Sequence, residues 1–183
     1  MATPTQLWGD IRQLGYVVSA AAFRESIEHW VRTLGVGPWL VIEHPVVEDF
    51  VHRGEPGRLD FSFALAQAGA MQIELIAQHN DQPSTYLDFL ATTNGIGGLH
   101  HLAYWPEDMD AAHEQATTVL GFELWSAGRI GSDGTFRYYL TEVHPGTVVE
   151  HANVQGRRLQ YFAELAERSR TFDPTHDDWY VTR

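Results

Sequence analysis

Cysteine is absent from the 183 residues. That excludes a disulfide scaffold, thiolate metal ligands and a cysteine nucleophile together, and it fits a reducing compartment. Any metal held by this chain must use oxygen and nitrogen donors. Basic residues are scarce, 12 against 24 acidic ones, and the formal charge of -12 repels phosphate backbones and anionic lipid. No Lys/Arg cluster compensates locally, so neither nucleic acid nor a membrane surface is an expected partner. The same charge weakly disfavours large polyanionic substrates such as coenzyme A thioesters. No apolar run approaches the roughly 20 residues of a membrane span. Met1 to Trp8 has neither the basic flank nor the apolar stretch of a secretory signal. The expectation is a soluble cytoplasmic protein whose 44% hydrophobic content suffices for a full core without crosslinks.

Periodicity then organises the chain. Residues 13–18 alternate as a strand, with Leu14, Tyr16 and Val18 on one side and Gln13, Gly15 and Val17 on the other. Ser19 is a candidate cap for a helix carrying Phe23, Ile27, Trp30, Val31 and Leu34, which Gly35 and Gly37-Pro38 stop. Residues 39–43 read as a strand, and 59–66 with 71–77 as a hairpin around Gly69. The order is β, α, β, β, β. After a connection with a helical stretch at 85–92, the same order begins again. A strand at 101–105 is followed by a helix at 109–120 and strands at 122–130, 135–141 and 148–152, with turns at Asp133-Gly134 and Pro145-Gly146. Gln13-Leu14-Gly15-Tyr16 corresponds to His101-Leu102-Ala103-Tyr104, and Leu34-Gly35 to Leu120-Gly121. The expected division is a first module over 1–80, a connector over 81–98, a second module over 99–153, and a C-terminal helix and tail over 154–183. That helix places Leu159, Phe162, Ala163 and Leu165 on one side, and the aromatic, acidic tail reads as an arm over the fold or over a second subunit.

Four polar residues interrupt otherwise apolar strands: Gln13, Glu74 in Ile73-Glu74-Leu75-Ile76, His101 in Leu99-His100-His101-Leu102, and Glu150 in Val148-Val149-Glu150-His151. A lone buried carboxylate costs several kcal/mol unless compensated. Any one of them could be an ordinary hydrogen-bonded core residue. Four at equivalent points of four strands point instead to a shared ion. Two carboxylates, an imidazole and an amide oxygen suit zinc, nickel, cobalt, manganese or magnesium. Alternation turns His100 and His151 away from this face, and His144 falls in the turn before the last strand.

The chain from Gln13 to Asn153 resembles the vicinal oxygen chelate superfamily, which includes glyoxalase I, methylmalonyl-CoA epimerase, extradiol dioxygenases and bleomycin-resistance proteins. The resemblance is strongest, toward the epimerase branch, over Ile73-Glu74-Leu75-Ile76, Gly98-Leu99-His100-His101-Leu102-Ala103 and Val143-His144-Pro145-Gly146-Thr147-Val148-Val149-Glu150. It implies an α+β fold of two tandem βαβββ modules forming a cupped half-barrel sheet around one divalent metal ion, with Gln13, Glu74, His101 and Glu150 as ligands. Epimerases usually have histidine at the first of these positions. The Gln, Glu, His, Glu set is similar to that of zinc glyoxalase I, and it does not match the two His and one carboxylate of an iron dioxygenase. The resemblance further implies a proton-transfer partner near Asp60 in Leu59-Asp60-Phe61, and it permits a homodimer.

The expected chemistry is metal-assisted proton transfer next to a carbonyl, with Glu150 as base, in an isomerase, epimerase or lyase. Trp105, Trp39, Trp125 and Phe63 suggest a small substrate with an apolar portion. The alternative is a noncatalytic binding or sequestration protein of the same fold.

Overall fold

The computed structural model describes residues 4–141 and 148–181. His144 and the Pro145-Gly146 turn lie outside the described residues. The described strands are β1 (Ile11–Val17), β2 (Trp39–Glu43), β3 (Val47–His52), β4 (Glu55–Pro56), β5 (Phe61–Ala68), β6 (Met71–Gln78), β7 (Gly98–Tyr104), β8 (Glu123–Ile130), β9 (Gly134–Leu140), β10 (Val148–Ala152) and β11 (Tyr180–Val181). They form a single sheet in the order β11-β2-β5-β6-β1-β7-β10-β9-β8-β3-β4. At its centre β1 and β7 run antiparallel. Outward from that pair, each module lays down its strands in the same order: last, third, second. The result is the cupped α+β sheet expected from the βαβββ repeat.

Strand alternation divides the apolar residues between two faces. On the convex face, α2 (Phe23–Leu34) buries Phe23, Ile27 and Val31, spaced four apart, against Trp39, Ala64, Ile73 and Leu75. It ends at Gly35 in the left-handed conformation that glycine adopts without strain. The second module is covered by α1 (Pro4–Trp8) and α4 (Met109–Glu114), where Trp8, Ala112, Ala116 and Tyr139 meet. On the concave face, Phe61, Phe63, Leu65, Phe136 and Tyr138 build the main core with Tyr86 of α3 (Thr85–Thr92) and Leu165 of α5 (Gly156–Ser169).

Several expectations are corrected here. The helix at 109–120 is α-helical only to Glu114 and continues as a π turn over Gln115–Val119. Leu159 of α5 is 47% exposed, because the helix lies across the mouth of the cup and packs mainly through Phe162 and Leu165. No strand was expected between 43 and 59, yet β3 leaves the first module and pairs antiparallel with β8 of the second. The tail, by contrast, takes the first of its two expected placements, over its own fold: the Trp39 N–H donates to the Trp179 carbonyl at 2.7 Å, and β11 adds in parallel to β2.

Candidate metal centre

Register places the candidate residues in two rows across the four central strands. Glu74, Gly15, His101 and Val148 are successive neighbours in one row; Gln72, Gln13, Ala103 and Glu150 are neighbours in the next. In each row a small residue sits on a central strand, Gly15 in one and Ala103 in the other, leaving space that long side chains on the adjoining strands fill. At Gly15 a Cβ would fall 1.8 Å from Cε1 of His101, so only glycine admits the imidazole there. The sequence offered a signal for this, a glycine inside an otherwise regular strand, but not its purpose.

The structure brings Glu74, His101 and Glu150 together, their ligating atoms within 4.8 Å of one another. His101 Nε2 lies 3.1 Å from Glu150 Oε2 and 3.4 Å from Glu74 Oε2. Among the described residues, neither Nε2 of His101 nor Oε2 of Glu150, both buried, has a partner in hydrogen-bond geometry. Gln13 is on the same face, 5% exposed, and its Nε2 donates to Gln72 Oε1 at 2.6 Å. With the nitrogen engaged, the amide oxygen is the atom Gln13 can offer an ion. Gln72, fully buried, is a polar neighbour that sequence reasoning overlooked although it shares the face of Glu74 two residues on.

Electrostatics fit the same picture. Burial raises the Glu74 carboxyl above its ordinary value, and Glu150 adds to the rise against the opposing pull of His101. Burial alone would depress the His101 imidazole, but the charge of Glu150 and the close approach of both carboxylates outweigh it and hold it at about 9. Without an ion, the two neighbouring acidic side chains thus favour the protonated form of His101. A divalent ion held by these residues would supply that positive charge in place of the proton. The orphaned Nε2 and Oε2 atoms, the two carboxylates and the imidazole together fit such an ion.

His100 departs from expectation. Between Gly15 and Tyr16 the partner on β7 moves from His101 to Leu99, so His100 is the extra residue of a β-bulge. The bulge breaks alternation and turns both imidazoles the same way: His100 and His101 each face the Tyr138 ring, at 5.7 and 5.2 Å. The two Nδ1 atoms are 3.0 Å apart, and His100 Nε2 is 2.9 Å from Thr85 Oγ1. Burial, and then the neighbouring His101, hold His100 well below the ordinary imidazole value, so it is neutral. With His100 neutral and His101 the more basic ring, His101 Nδ1–H donates to His100, which leaves Nε2 aimed at the acidic side chains.

Asp60 is not brought to the cluster. It precedes Phe61 by one residue, and since Phe61 and Phe63 line the cavity, alternation puts Asp60 outside, with His44 Nδ1 at 2.6 Å. His151 also faces outward, against Trp8 and Tyr139, as expected. Of the aromatic candidates, Trp105 and Phe63 line the cavity. Trp39 is buried under α2, and Trp125 lies beside His52 and Arg53. The cavity measures about 600 Å³. Gln13, Glu74 and Glu150 contribute to its polar side, and aromatic residues and the first turns of α5 to the rest.

Comparison with known proteins agrees with this architecture. Residues 12–139 match the family model described as the glyoxalase/bleomycin resistance protein/dioxygenase superfamily. A search of curated proteins gives no significant match. Among solved structures, methylmalonyl-CoA epimerase from Mycobacterium tuberculosis is 19% identical, over 88% of this chain and 97% of the other, with a TM-score of 0.57. A hypothetical protein from Bacillus halodurans is 15% identical over 81% and 96%, with a TM-score of 0.56. A further methylmalonyl-CoA epimerase is 19% identical over 82% and 98%, with a TM-score of 0.51. At these identities the solved structures speak to the fold alone, whereas the family model spans more than half of the sequence. The chain belongs to the glyoxalase/bleomycin resistance protein/dioxygenase superfamily.

Proposed function

We propose that this protein is a divalent-metal-dependent enzyme that transfers a proton at the carbon next to a carbonyl, as an isomerase, epimerase or lyase. Glu74, His101 and Glu150 hold the ion, with the amide oxygen of Gln13 as the fourth ligand. The observation that carries this reading is the convergence of three ligating atoms from three strands beside a cavity that Glu74 and Glu150 line, two of them buried and without hydrogen-bond partners among the described residues. A bound divalent ion supplies a Lewis acid for a carbonyl oxygen.

The chain's own residues do the rest. Glu150, 5% exposed on β10, takes the proton. Glu74, on the opposite side of His101, is the second carboxyl group lining the cavity and the other candidate to carry a proton. That position replaces the role expected of Asp60. Phe61, Phe63 and Phe162 exclude water from the reacting carbon and fit the apolar part of a small substrate. Whether the proton returns to the same carbon, to its neighbour, or leaves with a β-substituent decides the reaction type.

The test is solvent exchange. With a carbonyl substrate in deuterated water and saturating metal, wild-type protein should place deuterium at the adjacent carbon. Glu150→Gln should exchange about 10²–10⁴ times more slowly. Equal rates under full metal loading would move the base elsewhere, with Glu74 next in line. A metal-free preparation that binds its ligand with full affinity and exchanges nothing would favour a noncatalytic binding role.

A further inference from the structure

We propose that the aromatic side of the cavity is a subsite for a planar aromatic ring bearing an acceptor oxygen, with the paired phenols of Tyr86 and Tyr138 donating a hydrogen bond to that oxygen. This names the substrate class for the site proposed above; it rests on that cavity being the functional one, but not on the ion.

The two phenols reach the cavity from different elements. Tyr86 stands in the first turn of α3, whose cap is Ser84, and Tyr138 comes from β9. Their oxygens are 3.0 Å apart, and each residue is 2% exposed. Each phenol carries one proton. A single proton bridges the pair, so the other O–H needs a different acceptor. Among the described residues neither oxygen has a second hydrogen-bond partner. Both residues line the cavity, so an acceptor for the spare proton can come from a molecule bound there. An unsatisfied buried donor is unfavourable, and a bound oxygen relieves it. Burial, followed by the nearby carboxylates, holds both phenols well above their ordinary value, so they act as donors and not as bases.

The surrounding rings specify the rest of the ligand. Phe61 stacks on Phe63 with centroids 5.7 Å apart and planes inclined by 22°, and it lies 5.9 Å from Tyr86. Phe136 flanks Tyr138 at 5.6 Å. Across the mouth, Trp105 and Phe162 pair at 5.2 Å. Aromatic pairs gain stability beyond the area they bury, which favours a planar ring over a saturated one of equal size. A cavity of about 600 Å³ suits a compact molecule.

The test uses the full chain, with and without zinc, and three probes: acetophenone, ethylbenzene and cyclohexyl methyl ketone. Wild-type protein should bind acetophenone about tenfold more tightly than ethylbenzene, the worth of one good hydrogen bond. Cyclohexyl methyl ketone should also bind more weakly than acetophenone. In the double variant Tyr86→Phe with Tyr138→Phe, the preference over ethylbenzene should vanish while ethylbenzene affinity stays unchanged. A preference that survives the double variant, equal affinities in wild type, or no binding of acetophenone would each overturn the inference. A preference seen only with zinc and indifferent to the tyrosines would assign the oxygen to the ion, leaving the proposed function standing without the phenol subsite. A preference lost with the tyrosines in metal-free protein supports the subsite even if no ion binds. Should the double variant not fold, a crystal structure of the wild type with acetophenone decides. A carbonyl oxygen within hydrogen-bond distance of Tyr86 or Tyr138 supports the subsite, and any other position overturns it.

Discussion

His100 and Gly15 show how neighbouring residues shape one imidazole. Because His100 holds Nδ1 of His101, His100→Ala should weaken metal binding about 10–100-fold while leaving one site per chain. Chelator competition measures this, and unchanged affinity would show that packing alone orients the ring. Gly15→Ala should displace the same ring, lowering metal affinity and destabilising the fold by about 1–3 kcal/mol on thermal or denaturant unfolding. At this scale the grouping of Glu74, His101 and Glu150 was legible, since a lone ionisable group among β-formers is visible without coordinates. The orientation of His100 was not legible, because a bulge depends on the pairing register of two strands distant in sequence. Asp60 was assigned by its nearness to a family position, and the parity of Phe61 and Phe63 decides against it.

Among the elements, the βαβββ order was legible because β1, β5, β6 and β10 carry apolar alternation or apolar runs bounded by turns. Neither β3 nor β11 was. β3 buries only Phe50 and His52 of its six residues, and β11 has two residues, so neither bears a hydrophobic pattern of its own. Both are strands because an edge elsewhere in the sheet accepts them. β11 covers the edge of β2, with Trp179 beneath the Arg32 guanidinium at 5.2 Å and Phe172 filling the space beside Gly37. Deleting residues 171–183 should therefore leave a folded chain that self-associates through the uncovered β2. Sedimentation velocity would show this as a concentration-dependent rise in mass; an unaltered profile would mean that β2 needs no cover.

Across the whole molecule, buried histidines couple folding to pH in the ion-free protein. His151 is buried against Trp8 and Tyr139, and among the described residues neither ring nitrogen has a hydrogen-bond partner. Burial, then the charges of Arg137 and His113, lower it to about 4. The unfolded chain therefore takes up a proton first as pH falls. Stability present above about 6.5 is lost progressively toward 4, by an amount on the order of 3 kcal/mol. His101 acts oppositely: raised to about 9, it stabilises the ion-free fold below about 6.5 and loses that contribution as pH rises through 9. Denaturant unfolding from pH 4 to 10 should give a maximum near neutrality, and His151→Phe should flatten its acid side. An acid limb unchanged in that variant would assign the loss to other groups.

The three-strand cluster of Glu74, His101 and Glu150 is the claim on which the function depends, and elemental analysis of protein purified without added metal tests it most directly. The wild type should carry close to one divalent ion per chain. Glu74→Gln and His101→Ala, each still folded, should carry far less. A metal-free wild type that also fails to take up zinc, nickel, cobalt, manganese or magnesium on titration would contradict the assignment, as would full retention of metal in both variants.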